Sequence, residues 1–178
     1  KNFNTTERTI NTDNIFEIDR LGLEDSFEAG RSLTIGIDYK KEMLEDMNHY
    51  FQAKLATVIR DKEENFMPKK TTLNKKNSNI FGSISNNFSK DFNLNYNFAL
   101  DNSLSKFEYN DVTATLRYNN FSTAVIYTKE MGEMGDQNLL TNKASYKFNE
   151  ENNLTFNTRR NRKLNLTEYY DLVYEYKN

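Results

Sequence analysis

Apolar and polar residues alternate with a period of two along most of the chain. In the run 92–101, aromatic and aliphatic residues at even positions alternate with Asn93, Asn95 and Asn97. Successive side chains of a β-strand point to opposite faces, so this pattern predicts a strand with one apolar face and one polar face. Weaker versions of the pattern recur at 32–39, 51–60, 112–118, 121–127, 144–148, 154–156 and 170–176. No long window shows the spacing of three and four residues that a helix requires.

These runs predict about ten antiparallel strands, including a weaker one near Asn14–Asp19. The segment Lys41–Tyr50 is the only helix candidate, and we interpret it as a connection between strands. No linker or second domain is evident, so residues 1–178 are expected to be part of a single all-β domain. The chain begins at Lys1 with no signal-like apolar stretch, and we expect either a mature fragment or a targeting segment upstream.

The predicted connections fall into two classes. Tight turns are expected at 89–91, 119–120 and 149–152, and longer polar links at 61–78, 102–106, 130–138 and 161–166. Short and long links alternate strictly along the second half. This layout predicts an up-and-down sheet with short turns on one rim and longer loops on the other, as in outer-membrane β-barrels.

Aromatic residues gather beside the predicted tight turns, all on the apolar side of their strands. They are Phe88, Phe92, Tyr118, Phe121, Phe148 and Tyr176. An aromatic ring suits the boundary between hydrocarbon and headgroups, and such rows form the girdles of membrane barrels. The pattern therefore favours an antiparallel up-and-down transmembrane β-barrel, here a fragment of a larger barrel.

Composition narrows the function classes. The chain has 37% hydrophobic and 13% aromatic residues, with a net charge of -2, and a mean hydropathy of -0.87. This charge gives no electrostatic case for nucleic acid. The absence of Cys leaves the redox compartment open. No apolar run approaches the roughly 20 residues of a membrane-spanning helix, whereas a barrel strand needs only about 9–11.

Alternation alone also fits a soluble sandwich or a ligand-binding barrel, and the two models place the faces oppositely. In a soluble barrel Phe92, Tyr96 and Phe98 would point inward. In a membrane barrel they would face lipid, and polar residues would line a wet lumen. The candidate lumen-facing residues are Asn93, Asn95, Asn97, Thr113, Thr115, Arg117, Asn157 and Arg159.

The sequence offers no catalytic or metal site. His49 is the only histidine, and without a partner motif or Cys it predicts neither a catalytic triad nor a zinc site. We expect no enzyme activity and no cofactor. The basic run that contains Arg160, Arg162 and Lys163 lies at the predicted long-loop rim, where the phosphates of outer-leaflet lipids would be, and arginine binds phosphate through two parallel hydrogen bonds. A solvated loop explains the same charges.

Three stretches resemble the LptD family of lipopolysaccharide-assembly proteins. The first runs from Asn14-Ile15-Phe16 through Asp19-Arg20 to Glu28-Ala29-Gly30-Arg31-Ser32-Leu33. In the family pattern one residue separates the Gly from the Arg, whereas here Arg31 follows Gly30 directly. The second is Val58-Ile59-Arg60-Asp61-Lys62-Glu63-Glu64 with Met67-Pro68 after it. The third is Tyr169 to Asn178, which is similar to a strand that precedes an Asp-Cys pair in the family.

The resemblance implies a component of the outer-membrane translocon that assembles lipopolysaccharide into the outer leaflet, without enzymatic chemistry. Its implied partners are lipopolysaccharide, outer-membrane lipid, an LptE-like plug lipoprotein in the lumen and a periplasmic lipopolysaccharide bridge. The alternatives are a soluble or surface ligand-binding β-barrel, which detergent-free solubility would favour, and a diffusion porin. An acidic loop folded inward would favour the porin.

Overall fold

The chain folds into one antiparallel sheet, as seen in a computed structural model that describes residues 8–22, 28–44 and 48–177. Nine strands follow one another in the sheet in chain order. They are β1 (Ser32–Glu42), β2 (Tyr50–Arg60), β3 (Ile80–Ser89), β4 (Phe92–Leu100), β5 (Phe107–Tyr118), β6 (Phe121–Glu130), β7 (Gln137–Lys147), β8 (Asn152–Asn161) and β9 (Leu166–Tyr176). The predicted all-β, up-and-down architecture is confirmed.

The links define two rims. Two-residue turns at 90–91 and 119–120 lie on the short-turn rim, and the links 61–79, 101–106 and 131–136 lie on the opposite, long-loop rim. Strict alternation fails only at the end, because the links 148–151 and 162–165 are equally long.

The strand predicted near Asn14–Asp19 is wrong: this stretch forms turns. The side-chain oxygen of Asn11 accepts hydrogen bonds from the backbone N–H groups of Asp13 and Asn14, at 2.9 and 3.1 Å. The Asn14 side chain accepts one from the Asn11 N–H at 2.9 Å. Asn side chains that bind nearby backbone favour turns over strands.

The connection predicted over Lys41–Tyr50 is shorter in the structure, because both of its ends belong to strands. β1 continues to Glu42, and the Met43 N–H donates to the carbonyl of His49 at 3.0 Å. Tyr50 begins β2. Residues 45–47 lie outside the described residues.

The register gives the sheet two distinct faces. Directly opposed residues share a face, and Phe92, Leu94, Tyr96 and Phe98 project from what we call the apolar face, whereas the asparagines between them project from the polar face. The apolar face is uncovered over all nine strands: Ile37 is 71% exposed, and the residues of β4 on this face are only partly buried. The predicted rim aromatics lie at its short-turn end, where Phe88 stacks on Phe92 with ring centroids 5.2 Å apart.

The buried core lies against the polar face of β1–β4. An N-terminal segment (residues 8–22) and the long loop (residues 61–79) fold over this face, together with the 3-10 helix Gly132–Met134. The buried apolar residues are Ile10, Ile15, Leu21, Ala56, Val58, Met67, Leu73, Phe81, Ala99 and Met134. The protein therefore packs its buried apolar residues against the polar face of the sheet and not against the apolar face.

The sheet is not closed among the described residues, since β1 and β9 are its two edges and do not pair with each other. An open sheet of this kind is consistent with a fragment of a larger barrel. In the described part of the chain, no helix has the length and apolar character needed to cross a membrane.

Candidate functional site

The register places all eight candidate lumen residues on the polar face. Asn93 is opposite Thr115, and Asn95 is opposite Thr113. The set is completed by Asn97 on β4, Arg117 on β5, and Asn157 and Arg159 on β8. Alternation along each strand was sufficient to predict this grouping.

Over β5–β9 the polar face is open and carries cross-strand hydrogen bonds. Asn157 donates to the Asp171 carboxylate at 3.2 Å, and Thr128 donates to Asp111 at 2.8 Å. Arg159 forms an ion pair with Glu168 at 3.0 Å. These pairs hold polar side chains in place on a surface that remains accessible to water.

A cavity of about 640 Å³ lies at the short-turn end of this open surface. Its cationic walls are Arg117, Lys147 and Lys177, from β5, β7 and the residue after β9, and Glu150 and Glu175 also line it. None of these three cations forms an ion pair within 4 Å among the residues described. The cavity therefore presents charges of both signs to the space above the sheet.

Over β1–β3 the N-terminal segment is fastened to the polar face. The Thr12 hydroxyl donates to Ser83 at 2.9 Å, and Lys54 pairs with Asp13 at 2.8 Å. Gly36 leaves room for the tip of the Phe16 ring, which lies where a Cβ would stand. The segment thus combines polar and close apolar contacts with three strands.

An arginine cluster of Arg20, Glu28 and Arg60 joins this segment to the ends of β1 and β2. The Glu28 carboxylate accepts hydrogen bonds from both guanidinium groups, and Arg60 is 2% exposed. Arg20 also donates to the Ile15 carbonyl at 3.0 Å. Burial opposes ionisation of Glu28, but the hydrogen bonds and charges of Arg20 and Arg60 outweigh it and lower the pKa of Glu28.

The long loop is held by a second set of contacts at the long-loop rim. Lys75 pairs with Glu133 at 2.8 Å, and Lys70 with Glu130 at 3.5 Å. Asn79 donates to the buried Glu108 at 2.9 Å. Glu130 is only 7% exposed, although acidic loop residues are usually solvated. No local pattern marks these residues, because their partners are 29 to 60 positions away.

The basic run does not stay together. Arg160 projects from the apolar face, one position from Arg159 on the polar face. The Arg162 guanidinium lies over the Tyr127 ring, 5.7 Å from its centroid. Lys163 forms an ion pair with Asp136. Of the three rim cations predicted as one cluster, Arg160 and Arg162 therefore lie on the apolar face, whereas Lys163 is paired with a carboxylate.

No group of three or more His, Cys, Asp or Glu side chains able to hold a metal ion is found within the described ranges. His49 lies in the link immediately before β2.

The amino-acid sequence of this open, two-faced sheet matches a known protein family. No curated protein is similar enough to the chain to count as a match. The family model described as LptD, LPS transport system D, matches residues 1–169, which is nearly the whole chain and includes β1–β8 in full and the start of β9. The chain therefore belongs to the LptD family of the lipopolysaccharide transport system.

Proposed function

We propose that this chain forms part of the wall of an outer-membrane translocon that assembles lipopolysaccharide into the outer leaflet. The observation that carries the proposal is the uncovered apolar face. Over nine strands, its Phe, Tyr, Leu and Ile side chains contact one another, but no further layer of protein covers them among the described residues. An apolar patch of this extent is stable only against lipid or another protein.

The polar face would line the passage. It carries the eight asparagine, threonine and arginine residues named above, and the loops fold over this side of the sheet. A hydrated surface with amides, hydroxyls and charges suits the sugar portion of lipopolysaccharide, whereas the acyl chains require a lateral opening to hydrocarbon. We place the lipid on the apolar face and the saccharide on the polar face.

Family membership supports further partners. We propose an LptE-like plug lipoprotein against the open part of the polar face and a periplasmic bridge that delivers lipopolysaccharide to the short-turn rim. The proposed action is physical passage rather than catalysis.

Membrane insertion requires the two edges of the sheet to be paired, because unpaired backbone N–H and C=O groups are costly in hydrocarbon. We propose that β1 and β9 each pair with a further strand of the same barrel. The role proposed here is therefore that of a wall segment.

Two other functions fit less well. A ligand-binding soluble barrel would enclose its apolar side, and this side is the uncovered one. A diffusion porin with an acidic constriction loop would need an inward loop rich in carboxylates. The inward loop here (residues 61–79) contains five Lys and three acidic residues and is basic.

Single-cysteine labelling tests the orientation, because the chain contains no Cys of its own. Leu172→Cys and Asp171→Cys are neighbours on opposite faces of β9. In vesicles, a fluorophore at 172 should be quenched by a lipid-phase quencher, and one at 171 by an aqueous quencher. The proposal fails if the label at 171 is the lipid-accessible one, or if both positions are equally accessible to water.

A further inference from the structure

We infer that the apolar face carries a binding site for the phosphate of a membrane lipid at its long-loop end, formed by Lys129, Arg160 and Arg162. We call these three residues the cationic patch. The inference rests on the proposed function in one respect, that the apolar face meets the bilayer. The occupant is a phosphorylated lipid of the surrounding leaflet.

The register brings the patch together from β6, from β8 and from the residue that follows β8. Tyr127, Leu140 and Arg160 form one row across β6, β7 and β8. In the next row Lys129 is opposite Asn138, whose carbonyl accepts a hydrogen bond from the Arg162 N–H at 2.7 Å. The three cations therefore occupy two adjacent rows of one face.

The side chains converge further than the backbone does. Neighbouring strands lie about 5 Å apart, so β6 and β8, which have β7 between them, are separated by about 10 Å. The Arg162 side chain crosses this gap, because its guanidinium lies over the Tyr127 ring on β6. Lys129 is two residues further along the same strand and on the same face. The long cationic side chains of Lys129 on β6 and Arg162 beyond the end of β8 can therefore reach one phosphate.

The patch retains its charge because nearby carboxylates have other partners. Asp136 pairs with Lys163, and Glu168 pairs with Arg159 on the polar face. Among the residues that the structure describes, Lys129, Arg160 and Arg162 have no carboxylate within 4 Å. Arg160 and Arg162 are exposed.

The position of the patch matches a headgroup. From Lys129 to Phe121, β6 spans about 26 Å, close to the roughly 25 Å apolar band of a membrane barrel. The aromatic rim lies at the Phe121 end, and the cations lie at the other end. A phosphate held there would let the acyl chains lie along Val125, Leu140 and Phe156 on the apolar face.

The test uses the full chain folded in zwitterionic detergent micelles and titrated with phosphatidic acid, with bound lipid counted by native mass spectrometry. Phosphatidylcholine is the probe without net charge. Arg160→Gln and Arg162→Gln should weaken phosphatidic acid binding by about fivefold for each cation removed. Arg159→Gln is the matched control, because it removes the same charge from the same strand on the opposite face.

Arg160→Lys should retain binding, which separates loss of charge from loss of folding. The inference is overturned if Arg160→Gln and Arg159→Gln bind alike, or if phosphatidylcholine binds as tightly as phosphatidic acid. The labelling at positions 171 and 172 reports on orientation independently. A lipid-facing residue 172 with unchanged lipid binding in Arg160→Gln would refute this site while leaving the proposed function standing.

Discussion

Single residues on the apolar face are fitted to one another across strands. Gly82 is directly opposite Phe98, and the Phe98 ring occupies the space where a Cβ would stand. The same ring lies 5.3 Å from Tyr96 and 5.5 Å from Phe107, between centroids. Glycine weakens an isolated strand, but here it makes room for an aromatic cluster that packs across three strands. The alternation in the sequence predicts which face Phe98 lies on, but it does not predict that the Phe98 ring packs directly over Gly82.

The burial of Arg60 is a second feature that the local sequence pattern does not predict. Its position at the end of β2 suggests a solvated strand end, yet its side chain is buried and held by Glu28 and the Ala29 carbonyl. A buried arginine is tolerated only with a partner, because an unpaired buried charge costs several kcal/mol. Glu28 is 32 residues away in sequence, and no local signal connects the two.

Acid should release the N-terminal segment. The folded protein has a lowered Glu28 pKa, so its carboxylate contributes stability that is complete above the ordinary value of 4.5 and is lost as pH falls through the lowered pKa. A spin label on Ile18→Cys, which is fully exposed, should gain mobility over this acidic range. In a Glu28→Gln background the mobility should be high already and independent of pH there. An equal acid response with Glu28→Gln would assign the effect to other groups.

At the scale of elements, the strands and the loops obey different rules. Strands are set by alternation and by ladder pairing between neighbours, and the tight turns at 90–91 and 119–120 appear where polar pairs interrupt the pattern. The long loop is set by contacts with distant elements, including Leu73 in the buried cluster and Lys75 with Glu133. Its structure was therefore not predictable from its own composition.

Leu73→Ala should release the long loop from the polar face without unfolding the sheet. Leu73 is fully buried, and truncation of a buried leucine costs about 2–5 kcal/mol. Because residues 61–79 link β2 and β3 and belong to neither strand, the loss of stability should appear as local opening of the loop. Hydrogen exchange of backbone amides in 61–79 should accelerate, while amides of β5 and β6 stay protected.

Leu104→Ala is the matched control for that experiment. Leu104 is a loop leucine at the same rim and is 64% exposed. Its truncation should leave exchange in 61–79 unchanged. Similar acceleration in both variants would mean that the burial of Leu73 does not hold the loop.

At the scale of the whole molecule, the two faces have opposite environments. The polar face is partly packed by protein, and the apolar face is uncovered from β1 to β9. A soluble protein would arrange these faces in the reverse way, because burial of apolar area is the main stabilising term in water. The same hydrophobic effect accounts for the observed arrangement when hydrocarbon is the outer solvent.

Adjacent arginine substitutions should therefore have unequal costs in a bilayer. Val112 and Thr113 lie near the middle of β5 on the apolar and polar faces respectively. Val112→Arg should destabilise the folded protein by about 2–4 kcal/mol, the cost of arginine at the bilayer midplane, and Thr113→Arg by less. Urea titration of protein folded into vesicles measures both. An equal or greater cost for Thr113→Arg would contradict the assignment of the faces.

The sequence by itself determined the strands, their two faces and the short-turn rim, because strand periodicity and turn chemistry are local properties that a few neighbouring residues encode. It also determined the grouping of Asn93, Asn95 and Asn97 with the threonines of β5. Only the tertiary structure decided that residues 8–22 are a cover rather than a strand, that Arg60 is buried, and that the Arg162 guanidinium lies over the Tyr127 ring. Those outcomes depend on partners far away in sequence, whose meeting is set by how the loops pack on the assembled sheet.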